Sequence, residues 1–358
     1  MVSTEDLLLR AEEQLSAKCL SEALRLFDLA QLSGSDSDTC AAGRWTCHML
    51  AGNFELAWQE SDEITRRGNP DPHRFWDGRP ICGHNVLLRC LHGLGDTIQF
   101  IRYAPLIRRE ARTLTIEAQP TLKFLIQESR LADQVITWGE PEPPWDQQIE
   151  VIELPRIFRT TVDSIPNNVP YLHAPSVPPL SAYDGSRSLR AGIVWASSVY
   201  NPARSISVKQ MAALFDTPGV SFFSLQGEPE RHQLAPWSNE IQSLYHESGC
   251  VMKMAQHLKN LDLVITVDTM MAHLAGAMGR TVWTLLPYEC DWRWMLDRDD
   301  SPWYPTMHLF RQPRPGDWET VITEVQQTIN DLLFMELKQQ PGSLHGNRSL
   351  ASHLVREG

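Results

Sequence analysis

The sequence predicts an α/β protein of two similar halves, preceded by a small all-helical unit. Three observations carry that expectation. Up to about Arg67 the apolar residues recur at spacings of three and four, and no proline occurs before Pro70, which is the pattern of amphipathic helices. From Asn85 onward short apolar runs alternate with helical patterns, and strand–helix alternation builds parallel sheet. Segments dense in proline, glycine, aspartate or serine, at Gly68 to Pro80 and roughly Pro166 to Ser188, divide the parts.

In the first part Thr4, Leu7, Leu8 and Ala11 open one helix, and Leu20, Ala23, Phe27 and Ala30 define a second. Leu20, Ala23 and Ala30 recur 34 residues later as Phe54, Ala57 and Ile64. That period resembles a tetratricopeptide repeat, although Ser61 stands where Phe27 would recur and Trp45 takes a place usually held by a small residue. A plain helical hairpin or small bundle is the alternative. Two repeats cannot bury a solenoid face alone, so the unit is expected to dock on its neighbour or on another chain.

Beyond Asn85, VLLRCL at Val86, TLTIEA at Thr113, QVITW at Gln134 and IEVIEL at Ile149 read as strands of a first half. AGIVWA at Ala191, VSFFSL at Val220, LDLVITV at Leu261 and TVWTLL at Thr281 read as those of a second. Trp318 to Leu333 is a helix by its amphipathic pattern, and the tail beyond Gln340 carries none.

Composition narrows the function. The chain has 358 residues, with 42% hydrophobic and 21% charged, a globular balance. Its 32 Lys and Arg against 44 Asp and Glu give a net charge of -12, which repels a nucleic-acid backbone. Seven cysteines without C-x-x-C spacing suggest a reducing cytoplasm. The acidic start MVSTEDLLLRAEEQL is unlike a signal peptide, and no apolar run spans a bilayer, so at most peripheral membrane contact is expected.

Four turns at predicted strand ends carry the chemistry. In LLRCLHGLGDTIQF a strand runs through His92-Gly93-Leu94-Gly95-Asp96 into a helix; glycines there admit a ligand close to the backbone. A dinucleotide fingerprint would need a small residue where Ile98 stands, which weakens a nicotinamide reading. Asp96 is either a ligand-facing carboxylate or a helix cap. In LDLVITVDTMMAHLAGAMG, Asp268 or Thr269 caps a helix whose first amides, at Met270 and Met271, face the space above the strand ends, with His273 one turn on. In WASSVYNPARSIS, Ser197, Ser198, Arg204 and Ser205 suit phosphate oxygens. In LLPYECDWRWMLDRDDSPWYP, Tyr288, Glu289, Asp291, Trp292 and Trp294 suit either sugar recognition or an interdomain seam. Asp297, Asp299 and Asp300 read as a solvated knot rather than a metal site.

HGLGDTIQF followed by VDTMMAHLAGAMG, with an Arg-Ser loop between them, resembles glycosyltransferase family 9, the ADP-heptose:lipopolysaccharide heptosyltransferases, and especially relatives with tetratricopeptide repeats. The resemblance covers roughly Asn85 to Leu333. It implies GT-B architecture, two Rossmann-like domains across a cleft: residues 1–70 the helical unit, 76–180 an acceptor domain, 186–335 a nucleotide-sugar domain and 336–358 a tail. It also implies an inverting, metal-independent enzyme with Asp96 as general base. Gly95, Ser198, Arg204, Ser205, Asp268, Thr269, Met270, Met271 and His273 would hold the donor diphosphate and sugar, and Glu289, Asp291 and Trp292 the sugar or acceptor. No cofactor is implied beyond a nucleotide-sugar substrate, with ADP-sugar favoured. The acceptor would be a glycolipid or protein, with a protein partner or self-association through the helices. Met270 replaces the family motif's glycine, narrowing the pocket. The rival expectations are a non-catalytic scaffold with a degenerate transferase domain, and a protein O-glycosyltransferase.

Overall fold

The computed structural model describes residues 3–68, 75–180, 189–197, 201–245 and 250–338. Four helices, α1 (Thr4–Ser16), α2 (Leu20–Leu32), α3 (Ser37–Leu50) and α4 (Phe54–Arg66), form the helical unit as two successive hairpins. Ser3 and Asp36 accept the amides of Asp6 and Thr39 and so cap α1 and α3. A Cβ on Gly43 would lie 2.3 Å from the ring of buried Phe27, so that glycine lets α3 lie against α2.

The first sheet holds β1 (Asn85–Arg89), β2 (Thr113–Ala118), β3 (Gln134–Thr137) and β4 (Gln147–Glu150), all parallel in the order β3-β2-β1-β4. Helices α5 (Leu94–Phe100), α6 (Ala104–Glu110), α7 (Lys123–Glu128) and α8 (Leu154–Ile157) belong to this half. The second sheet holds β5 (Leu189–Val194), β6 (Val220–Ser224), β7 (Gln242–Ser243), β8 (Leu263–Val267), β9 (Val282–Leu286) and β10 (Met307–Arg311), in the order β10-β9-β8-β5-β6-β7, again parallel. Its helices are α9 (Val208–Met211), α10 (Val251–Leu258), α11 (Met270–Ala277) and α12 (Trp318–Lys338). The strands read as apolar runs because central parallel strands are buried on both faces; every residue of β8 and β9 is buried.

Several elements differ from expectation. The strand expected at IEVIEL is there but lies earlier: β4 takes only Ile149 and Glu150 of that run, and the Glu150 side chain accepts the Ile152 amide where Val151–Glu153 turns into a 3₁₀ helix. β7 and β10 were not predicted. Helix α12 runs on to Lys338, past the expected helix end at Leu333 and the expected domain end at 335, while the rest of the tail and the boundary at 186 lie outside the described residues.

The helical unit docks on both halves. Trp58 Nε1 donates to the Thr160 carbonyl at 2.7 Å, and Asp62 pairs with Arg156 and Arg159 at 2.8 and 2.7 Å. The Leu296 amide donates to the Leu50 carbonyl at 3.0 Å. Trp45, Phe54 and Phe100 surround Trp292 with ring centroids 5.6 to 6.3 Å away, an aromatic seam joining all three parts. Among the described residues no helix is long and apolar enough to cross a membrane.

Candidate active site

In open α/β sheets, ligands bind above the carboxyl ends of strands where the strand order reverses. Here the reversals fall between β1 and β4 and between β5 and β8. The turns that follow β1, β5 and β8 are those carrying Asp96, Arg204 and Asp268.

Asp96 sits in the first turn of α5. Its Oδ2 accepts the Gly93 amide at 3.0 Å, the capping role, and its Oδ1 accepts Arg293 Nη2 at 2.5 Å. Arg293 Nη1 also donates to both oxygens of Asp291, at 2.9 and 3.0 Å. The guanidinium lies 5.2 Å from the centre of Phe100 and 4.9 Å from that of Trp292. Burial opposes its charge, but Asp291 and Asp96 outweigh burial and raise its pKa. One guanidinium thus ties a carboxylate of the first half to one of the second.

A Cβ on Gly95 would meet His273 Cδ2 at 3.0 Å and Met270 Cα at 3.7 Å, so the missing side chain admits the close approach of α11 from the other half. His273 is buried: Nδ1 meets the Tyr304 hydroxyl at 3.0 Å and the ring stacks on Trp294 at 5.3 Å. Burial, then the cations Arg293, Arg102 and Arg204, push its pKa well below the usual value, leaving a neutral imidazole.

Thr269 is the N-cap of α11, and its Oγ1 accepts the Met271 amide at 3.2 Å. That corrects the expectation of two free amides: Met271 spends its own on the cap, and Met270 keeps the one available to a ligand. Asp268 is buried 3.5 Å from Arg204 Nη1, and among the described residues its Oδ2 has no hydrogen-bond partner. Burial, then the nearby Asp291, raises its pKa. Ser205 Oγ accepts the Ser197 amide at 3.0 Å and staples the loop to the end of β5. Ser198 lies outside the described residues.

Beside this junction opens a cavity of about 350 Å³, lined by Arg204, Asp268, Glu289 and Asp291 of the second half and by Lys18 and Thr46 of the helical unit. Asp96, His273 and Trp292 are not among its walls: the first two sit at the closed contact next to it, and Trp292 fills the aromatic seam. Under the Asp96 turn, Glu150 accepts the Leu91 and Ile152 amides at 3.1 and 2.6 Å, and burial raises its carboxyl pKa to about 7.

Sequence reasoning missed Arg293 and Lys18. The signal for Arg293 was present in DWRWM, a cation between two tryptophans, where only the acids and rings were weighed. Lys18 carried no local signal, since the Tyr288 ring beneath its ammonium lies 270 residues away in sequence.

No protein-family model matches the chain. It is 21% identical over 330 residues to Protein FlbA of Caulobacter vibrioides, covering 80% of this chain and 54% of that protein, so it spans about half the relative's length. Among solved structures it is similar to a family 9 glycosyl transferase from Veillonella parvula, with TM-score 0.51, 10% identity, and coverage of 73% of this chain and 99% of that one. It is likewise similar to E. coli ADP-heptose lps heptosyltransferase II, with TM-score 0.50, 13% identity, and coverage of 71% and 99%. The fold is therefore that of the GT-B glycosyltransferases of the heptosyltransferase kind.

Proposed function

We propose that the chain is a glycosyltransferase that moves a sugar from a nucleoside-diphosphate donor to an acceptor hydroxyl. The observation that carries this is the convergence of the turns after β1, β5 and β8, which bring Asp96, Arg204 and Asp268-Thr269 together at facing sheet ends of a transferase fold. The reaction is a single inverting displacement. The acceptor oxygen attacks the anomeric carbon as its bond to the diphosphate breaks, and Asp96 takes the hydroxyl proton, contributing roughly 10²–10⁴-fold. Arg204 and the Met270 amide face the charge that develops on the leaving diphosphate, with no metal required. Each Asp96 oxygen already accepts one hydrogen bond, so the proton enters at a remaining lone pair or displaces the Arg293 contact.

The donor tried first is an adenine nucleotide sugar, with heptose its leading sugar, and the acceptor is a glycolipid or a protein. The helical unit, read as a tetratricopeptide-like pair, faces the acceptor or a partner, and seven free cysteines suit the cytoplasm. The scaffold reading draws on one observation: Gly95 against His273 closes the centre of the cleft. Calorimetric titration with ADP, UDP and GDP sugars, followed by mass spectrometry of products, decides between them. Heat and transfer support the enzyme, whereas absence of heat with every donor overturns it.

A further inference from the structure

The helices of the helical unit end alike, with one exception. Helices α2, α3 and α4 are followed by Gly34, Gly52 and Gly68, with φ of 99°, 76° and 88°, the left-handed conformation glycine adopts without strain. Helix α1 ends in the same way, the Lys18 amide bonding to the Leu15 carbonyl and the Cys19 amide to the Gln14 carbonyl, yet the left-handed residue is Lys18, at φ 62°. A lysine there is strained where glycine is free.

Its side chain carries a second cost. It is half-buried in the wall of the cavity that Arg204, Asp268 and Asp291 line, with Nζ 3.8 Å from the centre of the Tyr288 ring. Among the described residues no carboxylate lies within 4.0 Å of it, although Glu289 is a neighbour in the same wall. Burial is the largest influence on Lys18 and lowers its pKa. A strained backbone and a part-desolvated ammonium that meets an aromatic face but no described carboxylate within 4.0 Å are unfavourable for the chain alone, and an anion in the cavity would compensate that cost.

We infer that Lys18 is a ligand of the donor's diphosphate, acting from the helical unit opposite Arg204, so that the helical unit completes the donor site rather than only recruiting a partner. This rests on the nucleoside-diphosphate reading above. Lys18→Gly separates function from structure, because glycine fits the left-handed position: the variant folds, and its thermal midpoint without ligand does not fall. In calorimetric titration of the full chain with ADP, UDP and GDP, losing one charge-assisted contact weakens the best-bound nucleotide about tenfold or more. Lys18→Arg retains most of the affinity. Two results overturn the inference: unchanged affinity in Lys18→Gly, or a lowered thermal midpoint with unchanged affinity, which marks Lys18 as a docking residue on Tyr288. If Arg204→Met loses affinity while Lys18→Gly does not, the donor reading stands and Lys18 falls. If the wild type binds none of the three, the donor reading itself falls.

Discussion

Replacing Glu150 by glutamine tests the electrostatics beneath the Asp96 turn. Glu150 is fully buried, and burial holds its folded pKa at about 7 against an ordinary 4.5. For an acid with a raised folded pKa, the native state holds the proton more tightly than the unfolded chain. Its contribution to stability is therefore fully present below pH 4.5 and is lost as pH rises through 7. Between pH 5 and pH 8 that loss amounts to about 2.5 kcal/mol. Glutamine removes the titration but keeps only one acceptor oxygen for the Leu91 and Ile152 amides, at a cost of about 1 kcal/mol. The variant should be slightly less stable than wild type at pH 5 and more stable by about 2 kcal/mol at pH 8. Urea denaturation of both proteins at the two pH values measures this, and other titrating groups cancel in the difference. An offset that is the same at both pH values would refute the reasoning.

Three further outcomes follow from the same contacts. Asp96→Asn should cut transfer by roughly 10²–10⁴-fold with donor affinity within a few-fold of wild type; full activity in a folded variant sinks the base assignment. Gly276→Ala puts a Cβ 2.5 Å from the buried Tyr304 ring and should lower stability by about 1–3 kcal/mol, read as a fall in thermal midpoint. Trp58→Phe keeps an aromatic ring, though a smaller one, and loses the bond to the Thr160 carbonyl, so denaturation should show a loss of at least about 1 kcal/mol; no change would mean that this bond contributes nothing to docking the helical unit.

The fold was legible where burial is two-sided. Val86–Leu88 and Leu263–Val267 read as strands because parallel strands covered on both faces need apolar residues throughout. β7 escaped notice because it is two exposed residues, and β10 because Met307, His308, Leu309, Phe310 and Arg311 mix polar with apolar. IEVIEL misplaced the end of its strand because β4 stops at Glu150, whose side chain accepts the Ile152 amide and caps a 3₁₀ turn over the apolar residues that follow. Within the site, turn chemistry located Asp96, Arg204, Asp268 and Thr269, since strand-end position is a local property. What those residues touch is not local. Gly95 announced a close approach but not to what, and Arg293 reaches Asp96 across 197 residues.

Charge at the cavity accounts for how an acidic chain could hold a diphosphate. Its walls carry Lys18 and Arg204 against Asp268, Glu289 and Asp291, and Asp291 is already paired with Arg293. Burial, then the nearby Asp291, raises the pKa of Asp268, while Arg204 at 3.5 Å opposes that shift. With Arg293 counted, three cations stand against three carboxylates there, a local balance that the whole chain at -12 does not share, so an anion entering between Lys18 and Arg204 is not met by a net negative field. The same anion would compete with Asp291 for Arg293, the guanidinium that also holds Asp96. A ligand shifts such a contact only by the difference in its affinity for the two forms. Releasing Asp96 therefore follows from donor binding only if the diphosphate gains more from Arg293 than the two carboxylates lose, which joins donor entry and base release in one residue.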